Sequence, residues 1–158
     1  MPRVPSASHV ELAIDANRIA RGLYQGARPP VGHTLRHLGF GTLVLAAEEH
    51  QPPSSQFPGV EVVHVSLTDD GTPLSSAEWQ RARHASALVR KRLQQGRRVL
   101  VTCWMGLNRS GIIVALTLLR MTRRSVLNGE DAVMLVKQRR PGAMTNAYFV
   151  DAVRQAGG

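Results

Sequence analysis

The sequence predicts a single α/β domain, a central mixed β-sheet flanked by helices. Three observations carry that expectation. Short apolar runs of strand length alternate with longer stretches whose apolar residues recur at three- and four-residue steps. The chain has 158 residues, the size of one domain with one core. The strongest strand candidate, Arg98–Thr102, is followed by a helix candidate, Ile112–Met121, that is apolar nearly all round and so belongs in the interior.

The elements follow in order. Residues 1–13, with Pro2, Pro5, Ser6 and Ser8, read as a flexible N-terminal tail, and residues 14–158 as the folded domain. Ile19–Gln25 reads as one short strand, ended by Gly26 and the Arg28-Pro29-Pro30 corner. His33–Leu38 is a helical turn or two, stopped at Gly39. Thr42–Ala47 is a buried strand, and Val60–Leu67 alternates as a second one. Thr68 to Pro73, with Asp69, Asp70 and Gly71, has turn composition. Ser75 or Ser76 caps a long helix to about Gln95, with Trp79, Ala82, Ala85, Leu88, Val89 and Leu93 on one face. Two further helices, Gly129–Arg140 and Asn146–Ala156, are separated by Pro141-Gly142.

Composition excludes several classes. The apolar fraction of 43% argues against a disordered chain. No apolar run approaches the roughly 20 residues that span a bilayer, and the N-terminus has no signal-like apolar region, so a cytoplasmic protein is expected. The single cysteine rules out an intrachain disulfide framework and a multi-cysteine zinc site. The net charge of +9 is the outlier, and only Lys91 and Lys137 among the twenty basic residues are lysine. Arginine-rich composition is what a GC-rich genome produces; it also suits a partner rich in phosphate or carboxylate, which guanidinium forks match in bidentate fashion.

The chemistry concentrates in one segment. A core strand ends at Thr102, Cys103 follows, and Arg109-Ser110-Gly111 opens the apolar helix. By itself a lone cysteine behind a core strand is an ordinary small buried hydrophobe. Gly106, Arg109 and Ser110 at the third, sixth and seventh positions after it set this one apart. Amides of a tight loop and of a helix N-terminus make an oxyanion cradle, Arg109 adds a fork for two more oxygens, and Gly106 permits a positive φ. The same field favours the thiolate of Cys103, and Ser110 is placed to hydrogen-bond that sulfur and help it leave.

Cys103 to Arg109 matches the C-x5-R signature of the cysteine-dependent protein tyrosine phosphatase superfamily, and the rest resembles its compact dual-specificity branch over about residues 14–155. Leu23-Tyr24-Gln25-Gly26 is similar to that branch's "LYLG" element. Thr34 to Glu49 resembles the helix and strand that follow it, and Arg140-Pro141 with Asn146 and Phe149 resembles its "RP…N…F" element. The low-molecular-weight phosphatases carry the loop near the N-terminus instead. The resemblance implies a catalytic domain over residues 14–158 and a phosphate-binding loop of Trp104, Met105, Gly106, Leu107, Asn108 and Arg109. It implies a phosphocysteine intermediate on Cys103 and a phosphorylated protein substrate. That substrate carries phosphotyrosine, with phosphoserine and phosphothreonine as further candidates. It implies no cofactor and no metal, because Arg109 and the amides neutralise charge. In Asp-Asp-Gly variants of the family the second aspartate is the proton donor, which assigns Asp70, with Asp69 as the alternative. Solvated Asx turns are the structural reading of the same pair.

One departure stands out. The family has histidine before the nucleophile and this chain has Thr102, which predicts weaker support for the thiolate and lower activity at mildly acidic pH. Two other functions compete. An RNA 5′-phosphatase of the same superfamily suits the +9 charge but not an aromatic content of 4%. A pseudophosphatase that only binds phosphorylated partners has the Thr102 departure as its support. The sequence specifies no oligomeric state. Elsewhere, His33 and His37 have i, i+4 spacing without an evident third ligand. Arg97-Arg98, Arg123-Arg124 and Arg139-Arg140 read as solvated element ends, or else as a rim attracting polyanions. Trp104 and Met105 either line the underside of the loop or pack in the core.

Overall fold

The computed structural model describes residues 14–121 and 127–157. The expected tail at residues 1–13 and the Arg123-Arg124 pair lie outside the described residues. Five strands, β1 (Ala16–Ala20), β2 (Leu23–Gly26), β3 (Phe40–Ala47), β4 (Glu61–Leu67) and β5 (Arg98–Thr102), form one sheet in the order β1-β2-β5-β3-β4. β1 and β2 are antiparallel, while the pairs β2–β5, β5–β3 and β3–β4 are parallel. The expected mixed sheet is present, with β5 at its centre.

The single strand expected over Ile19–Gln25 is two. Arg21-Gly22 makes a tight reversal in which Gly22 has φ +76, so Ala20 pairs with Leu23 across a hairpin. Ile19 and Leu23 are both buried, which makes the run look continuous to a periodicity argument although the chain turns back inside it.

Alternation along the parallel strands divides the core. Val44, Ala46, Val99 and Val101 join the larger cluster, whereas Leu43, Leu45 and Leu100 join a smaller one on the opposite face with Leu35, Phe40 and Phe57. Helices α1 (Thr34–His37), α2 (Ser76–Gln94), α3 (Arg109–Met121), α4 (Gly129–Arg139) and α5 (Ala147–Ala156) complete the fold. All residues of α3 from Arg109 to Leu118 are buried, and α3 packs against α2, α4 and α5 and against β2, β3 and β5. The apolar sequence of that helix follows from its position. Ser75 caps α2 in a capping box with Glu78: the Ser75 hydroxyl accepts from the Glu78 amide, and Glu78 accepts from the Ser75 amide. No helix among the described residues is long and apolar enough to cross a membrane.

Candidate active site

The turn from β5 into α3 is built at the carboxyl end of the central strand, where parallel sheets expose backbone for ligands. Its carbonyls are held one after another. Trp104 O accepts from the Arg28 amide at 3.4 Å. Met105 O accepts from Arg140 Nη2 at 3.0 Å, and Gly106 O from Arg140 Nε at 3.1 Å and from Gln25 Nε2 at 3.0 Å. Leu107 O accepts from the Met144 amide at 3.2 Å. In a planar trans peptide the N–H points opposite to the C=O. Four successive carbonyls tied to the surrounding scaffold therefore turn the amides of Met105, Gly106, Leu107 and Asn108 to the other side, and none of these amides has an acceptor among the described residues. Converging free amides of this kind can hold an anion.

Gly106 is required here. It has φ +74, and a Cβ on it would lie 2.3 Å from the carbonyl carbon of Gly26 and 2.6 Å from the Ala27 amide nitrogen. The end of β2 and the loop thus pack backbone to backbone.

Cys103 is 4% exposed, and its Sγ lies 3.3 Å from Ser110 Oγ. The Arg109 side chain comes back over the loop and is engaged by two groups. Nη1 donates to Glu49 Oε2 at 2.5 Å and to Leu67 O at 3.2 Å, and Nη2 donates to Glu49 Oε1 at 2.5 Å. That leaves the Nε hydrogen and the second Nη2 hydrogen, a side-on fork of the kind that takes two oxygens of a phosphate. The bond from Arg109 holds the Glu49 carboxyl below its ordinary range. Burial works against the charge on Arg109, and the Glu49 bond with the charges of Cys103, Glu49 and Asp69 outweighs it, so Arg109 stays protonated.

The two aspartates part company. Asp70, the residue assigned by resemblance, is exposed, and its Oδ1 accepts from both the amide and the hydroxyl of Thr72 in an Asx turn. The Thr72 hydroxyl, then its amide, hold the Asp70 carboxyl below its ordinary value. Asp69 instead accepts from Asn146 Nδ2 at 2.8 Å. It lines an open depression of about 380 Å³ with Gly71, Asn108, Thr145, Asn146, Ala147 and Tyr148. Asn108, the residue before Arg109, accepts on Oδ1 from the amides of Thr145 (2.8 Å) and Asn146 (3.0 Å). The loop, the start of α5 and Asp69 are thereby joined. Glu78 anchors the same segment from α2, accepting from Thr68 N at 2.7 Å and from its hydroxyl at 2.8 Å.

Several supports escaped the sequence argument. Arg140, expected as a solvated helix end, is 6% exposed. Besides the two loop carbonyls it binds Asp15 Oδ1 and Asn17 Oδ1, both at 2.8 Å. Its only signal was its place in the "RP" element. Arg98 is likewise engaged, on Leu38 O at 2.7 Å, whereas Arg97 remains on the surface beside Glu61. Glu49 and Gln25 were read only as members of elements that resemble the family's, with no role for either side chain. Met144 adopts φ 59 while fully buried, which aims its amide at Leu107 O. The Thr102 hydroxyl donates to Val44 O at 2.9 Å, away from the loop. Trp104 and Met105 neither line the underside nor enter the core: they are 38% and 61% exposed, and the Arg28 guanidinium lies 3.7 Å over the Trp104 ring. His33 and His37 stack at 6.2 Å, with no third metal ligand among the described residues.

Replacing Arg140 by Ala removes both bonds to the loop and leaves Met105 O short of a partner. The expected cost is about 2–3 kcal/mol of stability, read as a lower midpoint in urea.

A mixed α/β sheet whose central strand runs into a loop of free amides, with a cysteine and an arginine at its two ends, is an arrangement suited to handling phosphate. The dual specificity phosphatase catalytic domain family matches residues 23–157, and the chain belongs to that family. It is 28% identical over 97 residues to candidate tyrosine phosphatase 123R of Invertebrate iridescent virus 6. That alignment takes in 61% of the chain and 64% of the viral protein, so the chain spans just under two thirds of that relative. Human DUSP28 shares the fold with TM-score 0.71 and 24% identity, over 97% of this chain and 96% of that one. The human tyrosine phosphatase-like serine/threonine/tyrosine-interacting protein shares it with TM-score 0.72 and 19% identity, over 90% and 95%.

Proposed function

We propose that this chain is a phosphoprotein phosphatase with residues 14–158 as its catalytic domain, hydrolysing phosphotyrosine and, in the same open site, phosphoserine and phosphothreonine. The observation that carries this reading is the run of four loop carbonyls bonded away from the site, which leaves four amides between Cys103 and Arg109 for a phosphoryl group.

The reaction has two displacements. Cys103 Sγ attacks phosphorus while the P–O bond to the substrate breaks, and Asp69 gives its proton to the departing oxygen. The amides and the Nε/Nη2 fork of Arg109 hold the equatorial oxygens as charge develops. Water then attacks phosphorus and yields its proton to Asp69. The S–P bond breaks, and its electron pair returns to sulfur, where the Ser110 hydroxyl meets it. Asp69 is preferred over Asp70 because it lines the depression beside Asn108 and is bound to Asn146 at the start of α5, whereas Asp70 is tied into the Thr72 turn.

The test is phosphate release from a phosphotyrosyl peptide in chelator, with rapid quenching of the wild-type protein for peptide mapping. Metal-independent turnover with a phosphoryl adduct on the Cys103 peptide is expected. A phosphopeptide that binds but is neither hydrolysed nor transferred would identify a binding module instead.

A further inference from the structure

Gln25 lies on β2 beside the central strand and is completely buried. Its Nε2 is within 3.0 Å of Gly106 O, 3.3 Å of Ser110 Oγ and 3.4 Å of Leu107 O. Carbonyl oxygens only accept, so it is the amide nitrogen that must face Gly106 and Leu107. The other end of the side chain, Oε1, is buried with no partner among the described residues. An apolar residue of the same shape would avoid that unpaired oxygen. What the amide supplies in return is a pair of hydrogens delivered beneath the loop.

We propose that Gln25 is a positioning residue that sets the direction of the Ser110 hydroxyl, turning its proton toward Cys103 Sγ. The proposal rests on the phosphatase reading only for its catalytic consequence. Ser110 Oγ has two neighbours, Gln25 Nε2 and Cys103 Sγ. Nε2 can only donate, so Oγ accepts on that side. The single hydroxyl hydrogen is left for the sulfur, which accepts it once it is a thiolate. Donation into Oγ also polarises the O–H bond and strengthens what it gives to the anion. The same bond serves twice: it favours the thiolate before attack and stabilises the sulfur that takes back the electron pair when the S–P bond breaks. Thr102 cannot supply this, since its hydroxyl is committed to Val44 O.

The test uses Gln25→Met, which keeps the volume and removes the donor. Cys103 is the chain's only cysteine, so its alkylation by iodoacetamide, followed by intact mass across pH, reports thiolate formation without any turnover. The midpoint of that profile is expected to rise by about 0.5–1 pH unit, part of the worth of one charge-assisted hydrogen bond. Decay of the phosphoryl enzyme is expected to slow about three- to tenfold, which is the same loss read as a rate. In a Ser110→Ala background the same substitution should move neither quantity further. Equal shifts in both backgrounds, or no shift in the first, would overturn the proposal and leave Gln25 as a prop for the loop. Gln25→Asn, which keeps an amide but withdraws it by one methylene, gives the same comparison if the methionine variant does not fold. Alkylation profiles that shift as expected in a protein without turnover would refute the phosphatase reading and keep this one.

Discussion

Cys103→Ser is expected to lose all measurable turnover, a fall on the order of 10⁴-fold or more, the scale of removing a nucleophile from its machinery. A serine hydroxyl at this position has no general base beside it; its neighbours are Ser110 and the positively charged Arg109. The amide nest and the Arg109 fork do not depend on the sulfur. Inorganic phosphate is therefore expected to bind the variant about as tightly as the wild type. The thermal midpoint should stay within a few degrees, since sulfur and oxygen are close in size. Calorimetry of phosphate binding beside an aryl phosphate assay measures both halves. Turnover within tenfold of wild type would remove Cys103 from the nucleophile's role.

The second large effect separates the aspartates. With a poor leaving group such as an alkyl phosphate, Asp69→Asn should lower kcat about 10²- to 10³-fold, within the range for loss of a positioned acid. With a nitrophenolate leaving group, which departs without help, the loss should shrink. Asp70→Asn should change kcat by no more than about twofold, the scale of a surface substitution, since its carboxylate serves the Thr72 turn. The opposite ranking would return the acid's role to Asp70. Asn146→Ala is the companion variant: it frees Asp69 from its one bond, and a partial copy of the Asp69→Asn profile is expected.

The sheet, the helices and their order were legible in the sequence, because a strand buried on both faces and a helix buried all round need apolar residues in runs that other segments do not carry. The superfamily resemblance followed from one stretch, Cys103 to Gly111, nine neighbouring residues that specify a local geometry, and the branch from elements such as Leu23–Gly26 and Arg140–Phe149. Nothing comparable marks the hairpin inside Ile19–Gln25, where both arms are apolar, and only Gly22 at φ +76 makes the turn.

What the sequence determined by itself is therefore local: the elements, the loop and its chemical types. Tertiary structure sets Asp69 and Asp70 apart, adjacent side chains of the same kind that Asn146 and Thr72 bind from opposite sides. It also decided that Arg140 is buried beneath the loop, that Glu49 orients Arg109, and that Gln25 reaches Ser110. Apart from the local Asp70–Thr72 turn, each of these pairs joins residues far apart along the chain, and a hydrogen bond between distant residues leaves no periodicity in either segment. The physical reason is that backbone patterning is a property of neighbours, whereas the direction of a carbonyl or a proton is set by whatever the fold brings against it.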